Sequence, residues 1–300
     1  MNRPFTSPDL SGQVAIVTGA SRGIGRAMAL ALAECGASVV CAAKTENSRD
    51  TLPGTIHETV AAIEAAGGTA VAVRTNLRKA EDIENMVSVA VEAFGGVDIL
   101  VNNAGALWLQ PVAQTKANRF DLLTQVNGRA AMLGAIAAMP HLQNREGRSA
   151  AAHIITVSPP LDLEMLPGKT PYLVTKYMQS LMTIGLAGEL AGTGVCATSL
   201  WPATTVESQA TIAHGMGTRE IWRVAEVVSD AMLAILASDP AEMNGKLLLD
   251  EEALAAVGVT DLAPYNCTEN GMPMRIVGAE GRAAWKMLQS AANDRKPSAP

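Results

Sequence analysis

Residues 13–25 read Gln13-Val-Ala-Ile-Val-Thr-Gly-Ala-Ser-Arg-Gly-Ile-Gly25. The first seven, Gln13–Gly19, are a short apolar, β-branched run closing on glycine, the pattern of a strand buried on both faces of a parallel sheet. Ala20–Gly25 turns that run into an apolar helix over Arg26–Cys35, Gly36 stops the helix, and Ala37–Ala43 reads as a second strand. Strand, glycine loop, helix and strand is the context in which a glycine motif binds phosphate. The glycines here stand at 19, 23 and 25, not as the commoner G-x-G-x-x-G. Their work would be the same: a tight turn, close backbone approach, and a helix N-terminus presented to a pyrophosphate. The plainer alternative is a βα turn that happens to be rich in glycine.

The alternation continues outward from this stretch. Ile56–Ala66 reads as a helix ended by Gly67-Gly68, Thr69–Thr75 as a strand, Ala80–Phe94 as a helix ended by Gly95-Gly96, and Val97–Asn102 as a strand. Arg119–Met139 is a long helix with Gly128 and Gly134 inside it, where close helix packing explains the missing side chains. His153–Val157 is a strand, Pro171–Leu190 a helix, Gly194–Leu200 a strand, and Lys246–Asp250 the last strand. Seven strands alternating with helices predict an α/β fold of Rossmann type: one doubly wound, seven-stranded parallel sheet with helices on both faces. No linker or repeat divides it, so residues 1–263 form a single domain. Residues 264–300 form a C-terminal extension closing on Lys-Pro-Ser-Ala-Pro, its end expected to be disordered.

Composition narrows the function classes. Hydrophobic residues make up 48% of the 300, enough for a sizeable core, while aromatics at 3% are too few for stacking platforms on single-stranded nucleic acid. A net charge of −6 offers no basic field for nucleic acid or anionic membrane. No stretch reaches the ~20 apolar residues of a spanning helix, and a cytoplasmic location is the default. Cys35, Cys41, Cys196 and Cys267 lack C-x-x-C spacing, and the four histidines are scattered, so no metal site is expected. Cys41 and Cys196 lie in apolar strand-like runs and read as buried free thiols.

The chemistry centres on Thr170-Pro-Tyr-Leu-Val-Thr-Lys176. Pro171 suits a first helical position, and Thr170 before it can accept a bond from a free N–H. Tyr172 and Lys176 then share a helix face, with Cβ atoms about 6 Å apart. An ammonium beside a phenol favours the phenolate and brings the tyrosine toward the range of a general acid/base. Alone, such a pair is most often a surface pair; its neighbours give it weight.

Taken together the motifs resemble the short-chain dehydrogenase/reductase family. Thr18–Gly25 looks like its cofactor loop, Asn102-Asn-Ala-Gly105 like its central-strand motif, and Tyr172-x-x-x-Lys176 like its catalytic pair, with Ser158 and Asn127 ahead of it. The resemblance covers Leu10 to Glu251. Within the family, Ala42–Thr45, Gly54–Ile56, Ser158–Leu161, Trp201–Thr204 and Leu249–Glu251 are similar to the hydroxysteroid dehydrogenase-like proteins. Members of that group can carry a lipid-transfer domain, for which this chain is too short. Two places depart from the family: Ala203 stands where a glycine often follows the proline, and Asn76-Leu77 replaces an Asp-hydrophobic pair near the adenine.

The resemblance implies roles. Tyr172 exchanges a proton with the substrate oxygen, Lys176 lowers its pKa and bonds the nicotinamide ribose, Ser158 polarises the substrate oxygen, and Asn127 holds a water that leads to solvent. Gly19, Ser21, Arg22, Gly23, Ile24, Gly25, Lys44, Asn76, Leu77, Asn103, Ala104, Gly105, Pro202 and Thr204 are the expected cofactor contacts beside Tyr172 and Lys176. A carboxylate at the end of the second strand would select NAD. Ala43 fills that place, with Lys44 next and Arg22 across the pocket, so two cations and no acid predict NADP(H).

The loops beyond the strands, Ala106–Leu109 and Leu161–Leu166, are apolar and suit an apolar carbonyl or alcohol substrate. Thr204–Trp222, with two glycines, is a candidate lid. Surplus small and apolar residues on Arg119–Met139 and Pro171–Leu190 predict a homodimer or homotetramer. The rival function is a non-catalytic dinucleotide-binding sensor or scaffold on the same fold.

Overall fold

The computed structural model describes residues 3–50, 53–143 and 150–284. The expected disordered end of the chain lies outside the described residues. In chain order the elements are β1 (Val14–Thr18), α1 (Gly23–Glu34), β2 (Ser38–Ala43), α2 (Ile56–Ala65), β3 (Thr69–Arg74), α3 (Ala80–Phe94) and β4 (Ile99–Asn102). There follow α4 (Ala117–Leu123), a π-helical stretch (Thr124–Arg129), α5 (Ala130–Gln143), β5 (Ala152–Val157), α6 (Thr170–Glu189) and β6 (Val195–Trp201). The remainder is α7 (Gln209–Ala213), α8 (Glu226–Ala237), α9 (Pro240–Met243), β7 (Leu247–Leu249) and α10 (Asp250–Ala256).

The seven strands form one sheet in the order β3-β2-β1-β4-β5-β6-β7, with every neighbouring pair parallel. The sequence pattern explains the central place of β1. Val14 and Ile16 join the core against α3, α5 and α6, while Ala15 and Val17 join the core against α1, α2, α8 and α10. A strand apolar on both faces fits only between two helical layers. Because β1 lies between β2 and β4, the chain changes direction across the sheet there, and the crevice beyond the carboxyl ends of β1 and β4 is where such sheets take ligands.

Several boundaries differ from the sequence reading. α1 starts at Gly23, three residues before Arg26, so its N-terminus sits inside the glycine loop. The long helix is interrupted: α4 and α5 are joined through the π-helical stretch. Gly128 and Gly134 do mark close approaches, since a Cβ on Gly128 would lie 2.6 Å from Met178 Cε and one on Gly134 3.2 Å from Asn102 Oδ1. α8 is not among the helices expected from the sequence. Val227–Ile235 are all buried, so the helix has no polar stripe and its period is hidden.

Residues 264–284 return to the body of the fold. Tyr265 Oη donates to Asp230 Oδ2 at 2.9 Å, while Arg3 Nε donates to Asp230 Oδ1 at 2.7 Å and Arg3 Nη2 to Glu34 at 2.6 Å. Cys41 and Cys196 are buried and free.

Candidate active site

The glycine loop is shaped by what it excludes. Gly19 has φ +73° and Gly23 φ +54°, conformations that favour glycine. A Cβ on Gly25 would lie 2.3 Å from Gly19 O and 2.4 Å from Asn103 Nδ2, so the start of α1 packs directly on β1 and on the turn after β4. Thr18, which the sequence reading did not single out, fastens that turn: its Oγ1 accepts from Asn103 N at 3.1 Å and Ala104 N at 3.2 Å and donates to Val101 O. Asn103 Nδ2 donates to Thr18 O at 2.8 Å. The motif Asn102–Gly105 is thereby locked to the glycine loop.

At the far end of the crevice the expected cations are arranged differently from each other. Lys44 is exposed at the end of β2. Arg22 donates through Nε to Pro53 O and through Nη2 to Gly54 O, both at 2.7 Å, and so holds the segment ahead of α2 over the loop. The sequence reading counted no acid here. Glu46, two residues beyond Lys44, turns instead to Arg74 at 3.2 Å and His57 at 3.6 Å. Asn76 and Leu77 are half-buried, and the bond from Thr75 N to Ala43 O at 3.0 Å keeps them beside the end of β2.

Tyr172 sits in the first turn of α6, packed with Met165, Leu173 and Tyr177. The cap differs from expectation: Lys169 is the N-cap, and the Thr170 hydroxyl donates back to Leu166 O at 2.9 Å. Lys176 is 3% exposed, its Nζ donating to Val157 O at 2.5 Å and lying 5.2 Å from the centre of the Trp201 ring. Burial lowers its pKa to about 7. Burial also raises the Tyr172 phenol above its ordinary value. The expected lowering of the phenol by a neighbouring ammonium is thus absent in this arrangement, because desolvation acts on both groups and Nζ is engaged by a carbonyl.

Asn127 lies in the π-helical stretch and is wholly buried. Single π turns inside helices often mark functional positions. Its Oδ1 accepts from Ala106 N at 2.7 Å, and its Nδ2 donates to Ala106 O at 3.1 Å and Thr175 Oγ1 at 2.9 Å. Thr175 Oγ1 in turn donates to Tyr172 O at 2.7 Å. The side chain thereby clamps the loop after β4 to the Tyr172 turn. A Cβ on Gly105 would lie 3.5 Å from Asn127 Oδ1 and 3.9 Å from Lys176 Nζ, so these three residues do converge.

Ser158 adjoins this cluster, since Lys176 Nζ donates to the O of Val157, the residue just before it. Ser158 is fully buried, with Oγ 2.9 Å from Ser199 Oγ, while Ser199 Oγ donates to Ser158 O. The next residue, Pro159, is itself buried and contributes to the wall of the cavity that Tyr172 lines. That cavity measures about 820 Å³ and runs from Ile24 in the glycine loop past Tyr172 and Pro202.

Asp250 positions the loop behind β6. Its Oδ1 accepts from Ala203 N at 2.9 Å, which gives the alanine at the family's usual glycine position a fixed seat. Burial raises the Asp250 pKa to about 6, against the backbone bonds from Ala203 and Glu251. Thr204 is buried, with no hydrogen-bond partner for its Oγ1 among the described residues. Among these residues no group of three His, Cys, Asp or Glu side chains could hold a metal ion, and no helix is long and apolar enough to cross a membrane.

Comparisons with known proteins agree with this geometry. Residues 13–214 match the sequence profile of the short chain dehydrogenases. Hydroxysteroid dehydrogenase-like protein 2 of Danio rerio is 39% identical over 268 residues, 88% of this chain and 63% of that protein. The chain therefore spans about three-fifths of the length of the curated relatives it matches. Among solved structures, a short chain dehydrogenase from Mycobacterium thermoresistibile shares 35% identity and a TM-score of 0.81, over 88% of this chain and 94% of that one. Another, from Burkholderia cenocepacia in complex with NADP, shares 28% identity and a TM-score of 0.67, over 80% and 97%. With the sheet order, the glycine cradle and the Tyr172–Lys176 helix already in place, the chain belongs to the short-chain dehydrogenase family, oxidoreductases that bind a nicotinamide dinucleotide.

Proposed function

We propose that the chain is an NADP(H)-dependent oxidoreductase that interconverts an apolar carbonyl compound and its alcohol, with Tyr172 as general acid/base. The observation that carries this reading is the apolar cavity, which Tyr172 lines and which continues through Pro202 to Ile24 of the glycine loop. The surroundings fit a dinucleotide: Gly25 leaves no room for a side chain beside Gly19, and the buried Thr204 hydroxyl has no partner among the described residues.

In this reading Gly19, Ser21, Gly23, Ile24 and Gly25 hold a pyrophosphate at the N-terminus of α1. Asn76 and Leu77 flank the adenine, Arg22 and Lys44 favour a 2′-phosphate, and Asn103, Ala104, Gly105, Pro202 and Thr204 enclose the nicotinamide end. The cofactor supplies or accepts the hydride. Tyr172 gives its proton to the developing alkoxide, or removes it from the alcohol. Lys176 bonds the ribose and, when charged, favours the phenolate. Ser158 reaches the substrate oxygen only by turning away from Ser199.

A homodimer or homotetramer is part of the proposal, supported by exposed apolar side chains on α5 and α6, among them Ile136 at 60% and Leu181 at 57%. The free thiols suit a reducing cytoplasm.

The test is a screen of carbonyls and alcohols against the purified protein, read by cofactor absorbance. Tyr172→Phe should lower turnover by about 10²–10⁴; an undiminished rate would remove Tyr172 from its role. A second reading, a dinucleotide-binding sensor without turnover, is favoured by two observations: Ser158 is engaged with Ser199, and Lys176 with Val157 O. Cofactor binding without turnover of any compound in the screen would select it.

A further inference from the structure

The cavity beside Tyr172 is walled on one side by residues 274–284, a segment lying beyond the 13–214 span shared with the family profile. Its backbone is joined to the loop behind β6. Thr205 N donates to Met274 O at 3.0 Å, Ile276 N donates to Ala203 O at 2.9 Å, and Thr204 and Arg275 form an antiparallel bridge. Arg275 grips Glu251 through two bonds of 2.9 and 2.7 Å. Arg282 reaches the loop between β5 and α6, where it meets Asp162 at 2.6 Å and Glu164 at 3.0 Å. The segment therefore bridges the two loops that flank Tyr172.

The side chains that this bridge turns to the cavity include Met274, Ile276 and Val277. Its cations are already matched, Arg275 by Glu251 and Glu280 and Arg282 by Asp162 and Glu164. A ligand lying against this wall meets mostly hydrocarbon, and the two charged residues of the wall that line the cavity, Arg275 and Glu280, are paired with each other.

We propose that residues 274–284 are the specificity-determining wall of the substrate site. Met274, Ile276 and Val277 set the length and girth of the uncharged hydrocarbon body that fits beside Tyr172, and Arg282 holds the wall in place through Asp162 and Glu164. The inference rests on the proposed reading of the Tyr172 cavity as a substrate site. A segment that merely braced the fold would alter stability without re-ranking ligands.

The experiment uses the full chain and reads binding rather than turnover. Anilinonaphthalene sulfonate is bound to the protein and displaced by straight-chain primary alcohols of increasing length, with thermal melting as the folding control. Ile276→Ala deepens the cavity and should shift the preference toward longer alcohols; Val277→Trp fills it and should shift the preference toward shorter ones. Each change should alter the ratio of long to short by about tenfold. Arg282→Glu should weaken displacement by every alcohol, and adding Glu164→Arg should restore it. An unaltered ranking in folded Ile276→Ala overturns the proposal, as does an Arg282→Glu protein that binds like wild type. Should Val277→Trp not fold, Ile276→Ala decides alone. A chain that turns over no carbonyl but shows these shifts would lose the catalytic reading and keep the wall.

Discussion

The Ser158 hydroxyl lies 2.9 Å from that of Ser199, while the residues lining the cavity beside Tyr172 include its neighbour Pro159. Since Ser199 Oγ donates to Ser158 O, the Ser158 proton falls to Ser199 Oγ. A donor engaged in this way contributes little to a developing charge elsewhere. Ser158→Ala should reduce kcat by less than about tenfold, well short of the 10²–10³ that follows loss of a dedicated oxyanion donor. Steady-state kinetics on Ser158→Ala beside Tyr172→Phe checks this, and a comparable collapse in both would show that Ser158 turns toward the substrate during the reaction.

Cofactor choice should follow Lys44 more than Arg22. Arg22 is bonded to Pro53 O and Gly54 O, whereas Lys44 is exposed with Ala43 beside it at the end of β2. The expected preference for NADPH over NADH is about 10- to 100-fold. Lys44→Asp should narrow or reverse it, because repulsion of the 2′-phosphate replaces attraction. The measurement is kcat/KM for both cofactors on both proteins, and an unchanged ratio would show that Lys44 does not read the phosphate.

Asp250 should leave a mark on stability against pH. Its carboxyl is raised from an ordinary 3.8 to about 6 by burial. A raised carboxyl stabilises the fold fully below pH 3.8, and that contribution is lost as pH climbs to about 6. The gap corresponds to at most about 3 kcal/mol. Asp250→Asn keeps an oxygen for the Ala203 and Glu251 amides and removes the titration. The difference in Tm, variant minus wild type, should therefore grow between pH 4 and pH 7. A difference that stays flat across that window would contradict the assignment.

Assembly should fail when charge enters the exposed apolar faces of α5 and α6. Ile136→Lys combined with Leu181→Lys places two ammonium groups where 60% and 57% of the native residues are exposed. Light scattering at micromolar concentration should show an oligomer for the wild type and a monomer for the variant. A monomeric wild type ends the proposal.

What could be read in the sequence was whatever depends on neighbours along the chain. β1, the turn glycines and the start of α6 follow from local pattern and local sterics, as Gly25 shows with its 2.3 Å approach to Gly19 O. What could not be read was set by distant partners. The orientation of Ser158 depends on Ser199, which is 41 residues away, and the place of Asn127 depends on Thr175, which is 48 away. α8 escaped notice because burial on all sides leaves no polar stripe. Residues 274–277 carry no periodic signal, since their backbone is shaped by the loop behind β6.

The central place of β1 also governs how the chain comes to be made. During synthesis β1, β2 and β3 leave the ribosome first and can pair, yet the far edge of β1, at Ala15–Val17, has no neighbour until Ile99–Val101 has emerged. At the usual pace of translation that wait is on the order of ten seconds. Throughout it the nascent protein carries a bare apolar edge of the kind that recruits other chains. Slow decoding between the two strands therefore lengthens the time for which that edge is unpaired.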